Sequence, residues 1–478
     1  MSRGRSVHES VVLVCVLAAA TGACAPSGDP QVAPVDAVAP SADALEPPAG
    51  LLASPAEPVA PEPPVDPASL PLPDFSQQSD RVQEQIRERL AALEEAIARK
   101  APAAELGRAH GELGLILSAA GFEEAGMPRL LHAQDLAPEE FLWPYFLGYF
   151  HFEGGDLQKA KDFFERAVEL RPDYVPAMFR LGKSYLDLGL AADAQPLFQE
   201  ALEMEPDSSA LHGWLGRAAL ALGDHAQAVE HLERALALEP RATRFHYSLA
   251  LAYRALGDSE RADAHLRQRG DGEPPIFDSL VQTYYWLLET AQTYHQRALA
   301  ALSNEDYAMG VELLRRGLEL EPENAGLGYL LGSALYRNGE LDAAIAQLEH
   351  HNGLYPDHAD AQYLLGMMFI ERENYTDALP RLEAAVRHDP KHAGAHMALA
   401  EYLAVTGRLE EALRLWERVM ELEPRFVEAW TQGADLLVRL NRYEEAAARL
   451  AAARERFPHR PDVARAHDMV EAVAALRR

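Results

Sequence analysis

The side chains able to do covalent or metal chemistry are few, and their spacing does not bring them together. His388, His392 and His396 stand four residues apart, which would stack imidazoles on one helical face as zinc sites require. Pro390 lies between the first and the other two, and a proline ends a helix by removing a donor and clashing with the preceding turn. The three therefore do not share a face, and ordinary packing and surface roles are the better reading. His350-His351 with His358 crosses Pro356 and fares no better. No G-x-S-x-G, no phosphate-cradling G-x-x-x-x-G-K and no H-E-x-x-H occurs. Asn374-Tyr375-Thr376 matches a glycosylation sequon. The expectation is a chain that is not an enzyme, with no catalytic residue, no metal, no cofactor and no small-molecule substrate.

What positions the remaining residues is a repeat. Pro138, Pro172, Pro206, Pro240 and Pro274 are spaced by 34 residues, as are Pro322, Pro356, Pro390, Pro424 and Pro458; one step of 48 separates the two sets. Between Asp173 and Pro206 the chain reads as two amphipathic helices. Leu181, Gly182 and Tyr185 mark the inner side of the first, with Gly182 small where the second helix approaches. Gly189 turns the chain at little cost because it has no Cβ. Ala194, Phe198 and Ala201 then recur at i, i+4 and i+7 on one face, and Pro206 closes the unit. The same positions hold Leu215, Gly216, Ala228, Leu232, Ala235 and Pro240, and later Leu365, Gly366, Ala378, Leu382, Ala385 and Pro390.

A 34-residue helical hairpin of this kind resembles the tetratricopeptide repeat family, with its Leu-Gly-x-x-Tyr followed by Ala, Phe, Ala and Pro. Arg297-Ala298 and Gly433-Ala434 depart from that pattern and blur individual boundaries only. The resemblance implies an all-α, right-handed α-solenoid of about ten repeats, in which each unit is stabilised by its neighbours. It also implies that the first helices line a concave surface where extended peptides bind. The residues expected there are Tyr145, Tyr149, Phe152, Phe179, Lys183, Arg217, Tyr247, Arg254, Tyr329, Tyr336, Arg337 and Tyr363. Aromatics and arginine are the types that anchor interfaces, and the cations suit an acidic peptide. The family's carboxylate clamp needs Asn and Lys at set positions, where this chain has Lys183, Arg217, Leu251 and Ser333, so that activity is not expected.

The rest of the chain frames the array. Lys+Arg 44 against Asp+Glu 74 gives a net charge of −30, which excludes nucleic acid as a partner because phosphate neutralisation needs basic side chains. Residues 1–24 carry Arg3 and Arg5, then an apolar run from Val11 to Ala20, the pattern of a secretory signal peptide. Thr21-Gly22-Ala23-Cys24 resembles the bacterial lipobox, with Thr21 where that motif prefers Leu. The resemblance implies a lipidated Cys24, a membrane anchor and an outer-membrane location facing the periplasm. Ala23-Cys24-Ala25 also fits an ordinary A-x-A cleavage site, which would discard Cys24 and give a secreted or periplasmic soluble protein. Residues 25–75 are rich in Pro and Ala, with no period of either kind, and read as a disordered linker spanning up to about 150 Å if polyproline-like.

Residues 76–104 are expected to form a capping helix, 105–274 repeats one to five, 289–458 repeats six to ten, and 459–478 a closing helix. Residues 275–288 interrupt the register, and Phe277, Leu280, Val281, Tyr284 and Leu288 continue a helical stripe. One long helix from about Asp278 to Leu302 is the expectation, at the junction of the two halves. Tyr284-Tyr285-Trp286 reads either as an exposed partner site or as the core of that seam. The functional expectation is a membrane-anchored scaffold of the bacterial envelope that binds proteins or peptides in the concave groove. The alternatives are a secreted spacer and a non-catalytic accessory subunit of an envelope enzyme or export complex.

Overall fold

The computed structural model describes residues 70–477, so the signal-peptide segment, Cys24 and most of the proline-rich stretch lie outside the described residues. Every element among the described residues is helical: the helices begin at Asp80–Ala98 and end at Pro461–Arg477. Between them lie ten helical hairpins of the α-solenoid type, of which Val175–Asp187 with Ala191–Met204 and Ser209–Ala221 with His225–Leu238 are representative. The chain divides near residue 293 into two compact units, each an array of five hairpins with its own terminal helix.

Local sequence explains the hairpins, three of them through the same turn. At Gly155, Gly223 and Gly257 the backbone is left-handed, with φ near 80°, where a side chain would be strained. The next residue is Asp156, Asp224 or Asp258, and its carboxylate accepts from the backbone N–H three residues on, capping the second helix. Such a cap contributes about 1 kcal/mol. Ala194, Phe198 and Ala201 are fully buried. A Cβ on Gly182 would sit 2.6 Å from the Phe198 ring, so the glycine is what allows the two helices of that hairpin to close on this phenyl group.

The interrupting stretch departs from the sequence expectation. In place of one long helix there are two short ones, Ser279–Tyr285 and Ala291–Ser303. The break follows from Gln85, 8% exposed, on the Asp80–Ala98 helix. Its side-chain amide donates to the Leu287 carbonyl (3.2 Å) and accepts from the Glu289 N–H (2.9 Å). Those two backbone groups are thus satisfied outside a helical ladder. Leu287 and Leu288 pack into the cluster built on Val82, Ile86 and Leu113. Residues 270–289, called the strap below, lie along the first helices of repeats one to five.

Candidate functional site

The strap shows what the first-helix surface of the N-terminal unit can hold. It enters at repeat five, where Gly270 N–H donates to Thr243 O (3.2 Å) and Arg244 N–H to Gly272 O (3.0 Å). A Cβ on Gly272 would meet Arg241 O at 2.1 Å, so the backbone approach needs a glycine there. Glu273 then reaches across repeats three to five. Lys183 Nζ donates to it at 2.8 Å, Trp214 Nε1 at 3.2 Å, and the Arg244 guanidinium pairs with its other oxygen. The Lys183 ammonium and the Arg217 guanidinium cover the Trp214 ring at 4.4 and 4.1 Å. Pro274, Pro275 and Ile276 follow, over a cavity of about 330 Å³ lined by Phe152, Phe179, Arg180 and Lys183.

Asp278 is the second anchor, with its side chain 6% exposed. It accepts from Tyr174 OH (2.8 Å), from Arg180 Nη2 (3.3 Å) and from the Tyr145 hydroxyl, and it caps the Ser279–Tyr285 helix through Val281 N–H (3.1 Å). Burial raises the Tyr145 phenol well above its ordinary value, the Arg180 cation pulling the other way and Asp278 reinforcing the rise. Tyr145 therefore stays protonated and donates. Beyond it, Tyr284 packs on Phe146 and Phe150 with ring centroids 5.8 and 5.3 Å apart, and Tyr285 OH meets Tyr149 OH at 2.7 Å. Arg81 closes the strap on Glu289 at 2.7 Å.

This arrangement corrects several expectations. Tyr145, Tyr149 and Phe179 are buried, and with Lys183 they face residues 273–285 of the chain itself. The interrupting stretch belongs to the first-helix face of the N-terminal unit, and Tyr284 joins its core while Tyr285 is 60% exposed. Phe152 is half-buried beside the strap, with Lys183 over its ring at 5.8 Å. Tyr247 and Arg254 remain exposed on repeat five. Asp278, Glu273, Arg180, Tyr174 and Trp214 did not stand out in the sequence. Two carboxylates flanking a Pro-Pro pair in the only stretch that breaks the period were the available signal.

In the C-terminal unit, Tyr329 and Tyr363 are half-buried beside His358 and His392, at 4.7 and 4.8 Å between ring centroids. Tyr336 OH donates to Glu371 (2.7 Å), and Arg337 lies 4.7 Å over the Tyr307 ring. The position of Lys183 in its hairpin holds Leu115, Tyr149, Arg217 and Leu251 in the other N-terminal repeats, but Leu299, Ser333, Met367, Glu401 and Asp435 here. At that one position cations occur only in the N-terminal unit. His392 Nε2 lies on Asp360 (3.0 Å) and His396 Nε2 on the Pro390 carbonyl (3.1 Å), so these imidazoles do not converge. Among the described residues, His467, Asp468 and Glu471 alone bring three ligand-type atoms together, on the last helix, with both carboxylates exposed. No helix among the described residues is long and apolar enough to cross a membrane.

Sequence models described as tetratricopeptide repeat match residues 145–174, 179–231, 215–268, 301–368, 363–424 and 403–470. No curated protein sequence matches the chain. Among solved structures, the chain is similar to yeast Tom70, at 15% identity and a TM-score of 0.33, over 78% of this chain and 96% of that one. It is also similar to a MamA protein, at 20% identity and 0.33, over 35% and 92%. A MamA fragment from Desulfovibrio magneticus RS-1 matches at 23% and 0.32, over 34% and 93%.

Proposed function

The chain belongs to the tetratricopeptide repeat family, and from that premise we propose that it is a non-catalytic scaffold whose first-helix surfaces hold partner peptides. The observation that supports this most is the strap. Some twenty residues of extended and then helical chain are fixed on the first helices by two carboxylate anchors, a Pro-Pro pair and an aromatic cluster. In the N-terminal unit that surface is taken by the chain itself. The partner surface is therefore the first-helix face of the C-terminal unit, around Tyr329, Tyr336, Arg337 and Tyr363.

The scaffold is held at a membrane through a lipidated Cys24, facing the periplasm of a bacterial envelope. Support for this is the sequence Thr21-Gly22-Ala23-Cys24 after an apolar run, and a linker long enough to present the repeats away from the anchor. Two experiments test the reading. Affinity capture by the full chain is compared with capture by the Tyr329→Ala, Tyr336→Ala, Tyr363→Ala triple variant; equal recovery of the same partner sinks the assignment of the face. Mass spectrometry of the mature N-terminus reads out the anchor: a diacylglycerol-bearing Cys24 supports it, and an unmodified start at Pro26 eliminates it.

A further inference from the structure

Where the strap enters, a concavity of about 470 Å³ is lined by Arg217, Arg244, Tyr247, Ser248, Arg269 and the Gly270-Asp271 backbone. Three guanidinium groups converge on it in a chain whose net charge is −30. Arg244 is paired with Glu273. Arg217 is half-buried with its face 4.1 Å over Trp214, and among the described residues it meets no hydrogen-bond acceptor. Burial pulls its guanidinium below the ordinary value, against the fields of Asp187 and Glu273, neither of which bonds to it, and Arg244 adds to the fall. A cation removed from water and left without an acceptor is costly unless an anion compensates it. Arg269 is exposed at the rim, and Tyr247, 53% exposed, offers an aromatic wall.

We propose that this concavity reads the carboxylates of an acidic, proline-containing peptide, and that it exists only while the strap lies in place. Two walls come from the first helices of repeats four and five, through Arg217, Arg244, Tyr247 and Ser248. The third comes from the strap's own entry, through Arg269 to Asp271. The neighbouring Glu273-Pro274-Pro275-Ile276 shows the chemistry that this face accepts: a carboxylate held by cations and an indole N–H, followed by prolines that carry no N–H to satisfy. The chain contains the same pattern again as Glu62-Pro63-Pro64-Val65-Asp66. It lies in a stretch, residues 25–69, that has seven acidic residues and no Lys or Arg. That segment is the occupant to which the proposal commits, and the binding is independent of any partner on the C-terminal unit.

The test uses the full chain carrying Glu62→Gln and Asp66→Asn, so that its own copy of the pattern does not compete. A dye-labelled peptide of residues 58–69 is titrated with it at low salt, and fluorescence polarisation is read. Saturable binding is expected, weakened about tenfold or more by Arg269→Glu and by raising the salt. Arg316→Glu, an exposed change on the second helix Tyr307–Leu320 far along the chain from the lining, is expected to leave it alone. The unmodified chain is expected to bind the labelled peptide more weakly than the Glu62→Gln, Asp66→Asn chain, since its own segment competes. If that competition does not vary with protein concentration the segment acts within its own chain, and if it grows the segment comes from a second copy. Arg269 is exposed, so its replacement is not expected to change the thermal midpoint, which serves as the folding control. The proposal is overturned if a peptide with Glu62→Gln and Asp66→Asn binds equally, or if Arg269→Glu leaves the affinity unchanged. It is overturned as well if inorganic phosphate protects the site but the peptide does not bind, which would make it a site for free anions only.

Discussion

Replacing Asp278 by alanine should release the strap without unfolding the hairpins beneath it. The carboxylate is the shared acceptor for Tyr174 OH, the Tyr145 hydroxyl and Arg180, and it caps the helix that follows. Loss of the cap costs about 1 kcal/mol. Loss of the ion pair leaves Arg180, whose side chain is 18% exposed, without its closest acid. Breaking a buried pair from one side costs about 3–5 kcal/mol, because the remaining charge is uncompensated. Glu153 lies 3.6 Å from Arg180 and is free to take up part of that charge, which places the loss at the lower end. The sum is about 3–4 kcal/mol on strap docking, or several hundred-fold in the opening equilibrium, on the order of 150- to 900-fold. Hydrogen exchange followed by mass spectrometry on the segment 279–289 reads this directly. Asp278→Asn retains a cap and an acceptor for the tyrosines while losing the charge, so it should fall between wild type and alanine. Exchange within about threefold of wild type in the alanine variant would refute the reasoning, since two of the three donors would then be irrelevant to docking.

Gln85→Ala leaves the Leu287 carbonyl and the Glu289 N–H without their shared partner, and should destabilise the N-terminal unit by about 1–3 kcal/mol in urea unfolding. A gain in stability would mean that the break between the two short helices is not enforced by this amide. Gly182→Ala forces a methyl group to within 2.6 Å of the Phe198 ring and should cost about 1–3 kcal/mol, seen as a lower urea midpoint at unchanged slope. His110 is pulled down to about 4 by burial, with His132 and Arg129 adding to it, and His351 to about 4 by burial, with His358 and His350 adding. Both folded values lie below the unfolded value of about 6.5, so the unfolded chain binds more protons over that window. Stability should therefore fall as the pH drops from about 6.5 towards 4, and the urea midpoint should be lower at pH 5 than at pH 7.5. A midpoint that does not move between these pH values would show that neither imidazole is held neutral by the fold.

The hairpins were legible because their cause is local. Gly182, Phe198 and Pro206 act on neighbours within one 34-residue unit, and in three hairpins the left-handed glycine with its capping aspartate sets the turn from adjacent residues. The strap was not legible because its cause is remote. Val281, Tyr284 and Leu288 keep a helical spacing that reads as one long helix, and the Gln85 amide that interrupts it lies 202 residues from Leu287 in the chain. The aromatic row illustrates the same limit. Residue type correctly places Tyr145 on the inner side of its helix, yet whether that side meets a partner or the chain itself depends on where residues 273–285 come to rest. Asp278 could not be paired with Tyr145, Tyr174 and Arg180 from spacing alone, since they are between 98 and 133 residues away.

The central claim is that first-helix faces hold partners, and a photo-cross-linking residue placed at single positions of the full chain tests it most directly. Positions 329 and 363 lie on the first helices Ala325–Arg337 and Ala359–Glu371, whereas Met309 and Leu354, exposed at 44% and 42%, lie on the second helices Tyr307–Leu320 and Leu341–Leu354. A discrete adduct to one partner from 329 and 363, with none from 309 and 354, is the predicted result. An adduct formed from the second-helix positions and absent from 363 would contradict it.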